Sequence, residues 1–230
     1  MGTMTRLDFT NELNFLLGNR NDADATNTTR VQRWITQGYT YMCHPAVHHF
    51  REMQSISNAT TMTTGTNSYS VTTLGSDTVI SVRWVSHVEA TSYSATATQR
   101  KLRPVDIRWF EQRTLTTGRP FNFAVDGSTV FISNVPTSTE NGQILRIGYY
   151  REPTALASDS TVTVLPTYYD RPLMKFVQAF AEADLGERAL SLVTLKEAVQ
   201  LLNNATSETE LEAEDTGHQI EIALSPAMGF

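Results

Sequence analysis

The 230-residue chain has little cysteine, little lysine and no long apolar run, and each shortage excludes something. One cysteine, Cys43, cannot form an intrachain disulfide, and it gives no sign of an oxidising compartment. No stretch approaches the roughly 18 consecutive apolar residues of a membrane span, and the opening MGTMTRLDFTNEL lacks the apolar centre of a signal peptide. The expectation is a soluble protein made in the cytoplasm without export and with no membrane partner. Positive charge is scarce too: the net charge is -6, and residues 154–230 hold four basic against twelve acidic side chains, or -8 by themselves. Such a surface lacks the counterion release that drives nucleic-acid affinity, which argues against a dedicated DNA binder but not against a surface that lets DNA pass. Also missing are a G-x-S-x-G elbow, a phosphate loop and a dinucleotide fingerprint.

What is present alternates between two textures. Phe9, Leu13, Leu16 and Leu17 recur at helical spacing and predict a first amphipathic helix ending near Gly18. Thr28 or Thr29 can cap a second helix, whose stripe runs through Val31, Trp34, Ile35, Gly38 and Met42 until Pro45 stops it. Beyond Met53 the composition turns to strand and turn formers, with seven threonines among the sixteen residues 60–75. Ile80, Val82 and Trp84, then Phe121, Phe123 and Val125, then Leu145, Ile147 and Tyr149 each keep the two-residue period of a half-buried strand. Asp126-Gly127 marks a hairpin turn, and RPVDIRWFEQ predicts one or two helical turns.

Helical spacing resumes near Pro172 with Leu173, Phe176, Val177, Phe180 and Ala181, and continues in Leu192, Leu195, Val199 and Leu202 at the 3-4-3 step of side-by-side packing. Two helical hairpins far apart in sequence bury their stripes by meeting, because an isolated pair leaves much of its apolar surface wet. The fold expected is α+β: a four-helix bundle from residues 1–52 and 166–216, an inserted antiparallel β-domain over 53–165, and a flexible tail over 217–230.

Few residues offer chemistry. His44 and His48 stand four apart with His49 adjacent, but Pro45 breaks the helix that zinc ligation at that spacing needs, and no H-E-x-x-H glutamate accompanies them. Half-exposed histidines at a helix end are the favoured reading, with Cys43 as a small buried filler. The carboxylates of Glu208, Glu210, Glu212, Glu214 and Asp215 form a solvated acidic run without the differing environments that acid–base catalysis requires. No catalytic, metal or cofactor residue is assigned, and no enzyme is expected. Fifteen arginines outnumber three lysines, and Arg108 and Arg119 lie among Trp109, Phe110 and Phe121. Rigid arginine forks mixed with aromatics suit a protein interface, which makes Arg108, Trp109 and Arg119 candidate subunit or partner contacts. In the tail, Ile220, Ile222, Leu224 and Phe230 are candidates for ordering against a neighbour. The Thr/Ser/Asn-rich strands leave a second function class open, a carbohydrate- or surface-binding fibre or decoration module.

Six segments in order, LDFTNELNFLLGNR, TTRVQRWITQGYTYM, KLRPVDIRWFEQ, GRPFNFAVDGSTVFISNVP, ILRIGYYREPTAL and LPTYYDRPLMKFVQAFAEADLG, resemble the head-to-tail adaptor (connector) proteins of tailed bacteriophages, especially the short-tailed type. The likeness runs over roughly residues 6–205. It implies a structural neck protein of the virion, assembled in the host cytoplasm as a ring, a dodecamer in that family. Such a ring docks on the portal protein, extends the channel through which DNA passes without specific binding, and carries the tail nozzle or fibres. It implies no catalysis and no cofactor.

Overall fold

The computed structural model describes residues 4–17 and 25–215. The protein is α+β, with five α-helices and two sheets that are antiparallel apart from one two-residue parallel pair among the described residues. It divides into two compact units, Met1–Met42 with Thr154–Phe230, and Cys43–Pro153.

The first unit is helical. Helix α1 (Arg6–Leu16) starts in a capping box, where Thr5 Oγ1 accepts the Asp8 N–H and Asp8 Oδ2 accepts the Thr5 N–H at 2.8 Å. It buries Phe9 and Leu13, whereas Leu16 of the expected stripe is exposed. Helix α2 (Ala25–Met42) buries Val31, Trp34, Ile35, Tyr39 and Met42, the face its spacing predicted, and packs on α4 (Asp170–Asp184). Gly38 of α2 lies directly against Val177 of α4. At the other end of the contact Asp184 accepts from Arg30 at 3.0 Å, from Arg33 at 2.8 Å and from the Trp34 indole N–H at 3.1 Å. The Arg30 hydrogen bond foremost holds the Asp184 carboxyl below the usual carboxylate range.

Helix α5 (Arg188–Asp215) packs on α4 through Thr194, Ala198, Leu202 and Ala205. This corrects the expected stripe: Leu192 is 61% exposed and Val199 40% exposed, and of the four leucine and valine positions only Leu202 is buried. The reason is polar. Glu182 of α4 is buried, and its two oxygens accept from Thr194 Oγ1 at 2.7 Å and Gln178 Nε2 at 2.8 Å, while Ser191 Oγ donates to the Ala179 carbonyl at 2.9 Å. A buried carboxylate left unpaired costs more than an exposed leucine, so the hydroxyls set the rotation of α5.

The second unit holds both sheets. One runs β1 (Gln54–Thr61), β9 (Ile144–Arg151), β4 (Asp77–Val88), β3 (Thr73–Leu74), with β5 (Gln99–Lys101) also on β4. The other runs β2 (Ser68–Ser70), β8 (Thr129–Ile132), β7 (Asn122–Asp126), β6 (Arg103–Pro104). Their inner faces share one core that includes Tyr69, Val85, Phe123, Ile132, Leu145 and Ile147. Strand β9 puts its predicted Leu145, Ile147 and Tyr149 in this core, but it is covered on both faces, with Ile144, Gly148 and Tyr150 buried as well. Strand β4 follows its predicted period only in part: register shifts between Val79 and Ser81 and between Val82 and Trp84 leave Val82 against the core but bring Val79 and Val85 there in place of Ile80 and Trp84. Of Phe121, Phe123 and Val125, Phe123 alone is buried; Phe121 is 56% exposed and Val125 38% exposed. Those two flank the buried residue on a short strand, one beside Pro120 and one at the Asp126-Gly127 turn, beyond the rim of the core.

Candidate interaction surface

The residues that reading singled out lie on or near the connection that leaves one sheet for the other. Chain 99–104 pairs first with β4 and then, past Leu102, runs parallel to β7, where the Arg103 N–H donates to the Phe121 carbonyl at 2.9 Å. Between the diverging segments opens a groove of about 510 Å³, lined by residues 100–103 on one side and 120–122 on the other. Its rim carries Arg100, Lys101 and Arg103 beside the exposed ring of Phe121.

Arg119 and Arg100 meet at one carboxylate, Glu89, at 3.3 Å and 3.0 Å. Lys101 and Arg103 pair with no carboxylate among the described residues, so the groove keeps net positive charge. The Gly118-Arg119-Pro120 turn is rigidly held. Gly118 adopts φ +119°, which favours glycine; its N–H donates to the Val135 carbonyl at 2.9 Å, and Asn134 Nδ2 donates to the Arg119 carbonyl at 2.8 Å.

Helix α3 (Ile107–Glu111), capped by Asp106, which accepts the Arg108 N–H at 2.8 Å, packs against β7. Arg108 is exposed and half-buried Trp109 is sandwiched, with Phe110 edge-on at 5.2 Å between ring centres and the Arg113 guanidinium over its face at 4.8 Å. The geometry therefore gathers Arg119 with Arg100, and Trp109 with Arg113. Ile220, Ile222, Leu224 and Phe230 lie outside the described residues.

Sequence periodicity also missed exposed apolar side chains on two helices of the helical unit. Leu190, Leu192, Val193 and Val199 of α5, with Leu7, Phe15 and Leu16 of α1, are large apolar side chains left in solvent, Phe15 at 77%. For Leu192 and Val199 the available signal is the 3-4-3 spacing on α5.

The histidine segment builds no ligand set. His44, His48 and His49 lie past the end of α2 in turns and loop, with His48 edge-on to Phe50 at 4.5 Å and His49 against Tyr150 at 5.2 Å. No three His, Cys, Asp or Glu side chains gather to hold a metal among the described residues. Cys43 is buried, and burial, with Glu52 nearby, pushes its thiol up. The buried histidine is His87 of β4: Gln143 Nε2 donates to the Thr139 carbonyl, so its Oε1 faces His87 and accepts from Nε2–H at 2.6 Å. Burial holds this imidazole below its ordinary pKa. No described helix is long and apolar enough to cross a membrane.

Residues 4–217 match the protein family described as SU10 adaptor protein. The chain belongs to that family. The SU10 adaptor assignment makes it a structural protein of the bacteriophage virion neck, in a class that works with portal and tail proteins. No curated protein matches this adaptor.

Proposed function

We propose that this adaptor assembles with copies of itself into a ring, a dodecamer as the resemblance implies, which docks on the portal, extends the DNA channel and carries the tail nozzle or fibres. The observation that carries this reading is the family match over 4–217. Two surfaces support it. A closed ring needs heterologous contacts, each subunit presenting one face to one neighbour and a different face to the other. The exposed leucines and valines of α5 and the Arg-rich, Phe121-edged groove of the β-unit have the unlike chemistry of such a pair. Within each copy, we read the four long helices as one bundle that carries the inserted β-domain. Net negative charge lets DNA slide through unheld, and assembly occurs in the host cytoplasm before the tail is added.

Negative-stain imaging of the purified protein mixed with its portal tests this, with Leu192→Glu/Val199→Glu as the interface variant. Rings on portals that the variant fails to form are expected. No ring and no co-assembly at any concentration overturns the reading; a monomer in isolation does not, because many subunits close only on a platform.

A further inference from the structure

We propose that the β7–β8 hairpin tip of a neighbouring copy, Val125 to Ser128, seats in the basic groove at the start of β7, with its Asp126 against Lys101 and Arg103 and its Val125 on Phe121. This deepens the ring reading and rests on it, by naming the part of the neighbour that the groove receives.

The first support is placement. The groove opens where β7 begins, between residues 100–103 and 120–122, and the hairpin turns where β7 ends, past the Asp126–Thr129 pair. At about 3.4 Å per residue, the strand holds the two features about 17 Å apart. A hole at one end of a strand and a knob at the other pair head to tail, copy after copy, and such heterologous contacts close into a ring when the rotation between copies allows.

The second is shape. Val125, Asp126, Gly127 and Ser128 are all exposed, so the tip stands clear of its own subunit. Gly127 takes φ +54°, as a two-residue hairpin loop requires, and the Val71 N–H donates to the Ser128 carbonyl at 2.8 Å. The turn is therefore already formed, as is the Gly118-Arg119-Pro120 turn beside the groove, and docking orders little new chain.

The third is charge. Asp126 pairs with no cation among the described residues, and Lys101 and Arg103 pair with no carboxylate. Glu89 already serves Arg100 and Arg119, so the vacancy in the groove is for a carboxylate from elsewhere.

The fourth is the apolar pair. Phe121 and Val125 share the parity of buried Phe123 but stand in solvent at the two ends of the same strand. With the β7 strands of successive copies end to end, Val125 of one lies on the same side as Phe121 of the next, and each covers the other.

The test uses the full-length chain with the photo-crosslinking residue p-benzoylphenylalanine in place of Ser128, prepared as a mixture of ¹⁴N- and ¹⁵N-labelled copies and irradiated with and without the portal. Crosslinks are expected in the peptides that hold 100–103 and 120–122, linking light to heavy chains. Lys101→Glu/Arg103→Glu is expected to lower their yield about tenfold, and Asp126→Lys in the same chain to restore much of it. All three positions are exposed, so the fold should survive the reversals. Asp126→Asn, which suits a turn as well as aspartate does, is a second probe and should by itself lower the yield of the parent. Crosslinks that go elsewhere, to the portal included, that never join light to heavy chains, or that survive the Lys101 and Arg103 reversal overturn the proposal. Rings on the portal without these crosslinks sink this inference alone. Light-to-heavy crosslinks at the groove from a protein that never assembles on its portal support the pairing and overturn the ring.

Discussion

Replacing Gly38 by alanine sets two effects of opposite sign against each other, and the structure says which is larger. A glycine inside a helix costs about 1 kcal/mol relative to alanine, so on propensity alone Gly38→Ala stabilises α2. The added Cβ, however, falls 2.8 Å from Val177 Cγ2, 2.9 Å from the Val177 nitrogen and 3.0 Å from its Cα. The methyl can rotate away; the α4 backbone cannot without moving the helix and its contacts with α5. Overpacking a close-packed interior costs about 1–3 kcal/mol, and a clash with main chain belongs in the upper half. The expected balance is a net loss of about 1 kcal/mol, a melting temperature lower by about 2–4 °C. Far-UV circular dichroism melts of the full chain read this. Gly38→Ala/Val177→Ala removes one of the three contacts and should leave the main-chain two. A melting temperature for Gly38→Ala equal to or above that of the parent refutes the reasoning, because propensity then outweighs a clash that is not there.

Gly148→Ala tests a close approach in the β-unit: the new Cβ falls inside the Trp84 indole that covers Gly148 across the β4–β9 ladder. A loss of about 1–3 kcal/mol in urea denaturation is expected, partly recovered by Trp84→Leu, and an unchanged midpoint counts against that packing. His87 predicts a pH dependence. Its folded pKa lies below the ordinary value of 6.5, so the unfolded chain takes up the proton first as pH falls. Stability contributed by the neutral ring is present above that value and is lost on acidification, by at most about 1.4 kcal/mol per pH unit. Glu89 and Glu140 oppose the shift and Arg119 reinforces it. Urea midpoints measured from pH 8 to pH 5 should fall in the parent and flatten in His87→Gln; parallel curves overturn the assignment.

Where one residue type decided an element, the sequence was enough. The α2 stripe and the Leu145, Ile147 and Tyr149 face of β9 follow their apolar periods because those side chains are buried among other apolar ones. The failures have polar or local causes. On α5 the leucine period picked the wrong face: apart from Leu202 the buried positions are Thr194, Ala198 and Ala205, since Glu182 of α4 needs a hydroxyl and small side chains let the helices close. On β4 two register shifts changed which residues face inward, and hydropathy does not record where a ladder slips. Phe121 has the right parity for the core but lies past its rim, which made it part of a groove instead. That groove was half legible: the arginine and aromatic content was visible, while the pairing of Arg100 and Arg119 on Glu89, and so the freedom of Lys101 and Arg103, required the fold.

The division of the chain also fixes an order of synthesis. The β-unit is one continuous stretch, Cys43–Pro153, and every strand it needs has left the ribosome before α4 is made. The helical unit is split, so α1 and α2 emerge first and must hold Trp34, Ile35 and Met42 without their α4 cover for more than a hundred residues of translation. The later part of the chain thus completes the earlier one after the module between them has been made, and the exposed α2 face is the step at which a nascent subunit is most open to chaperones or to premature association.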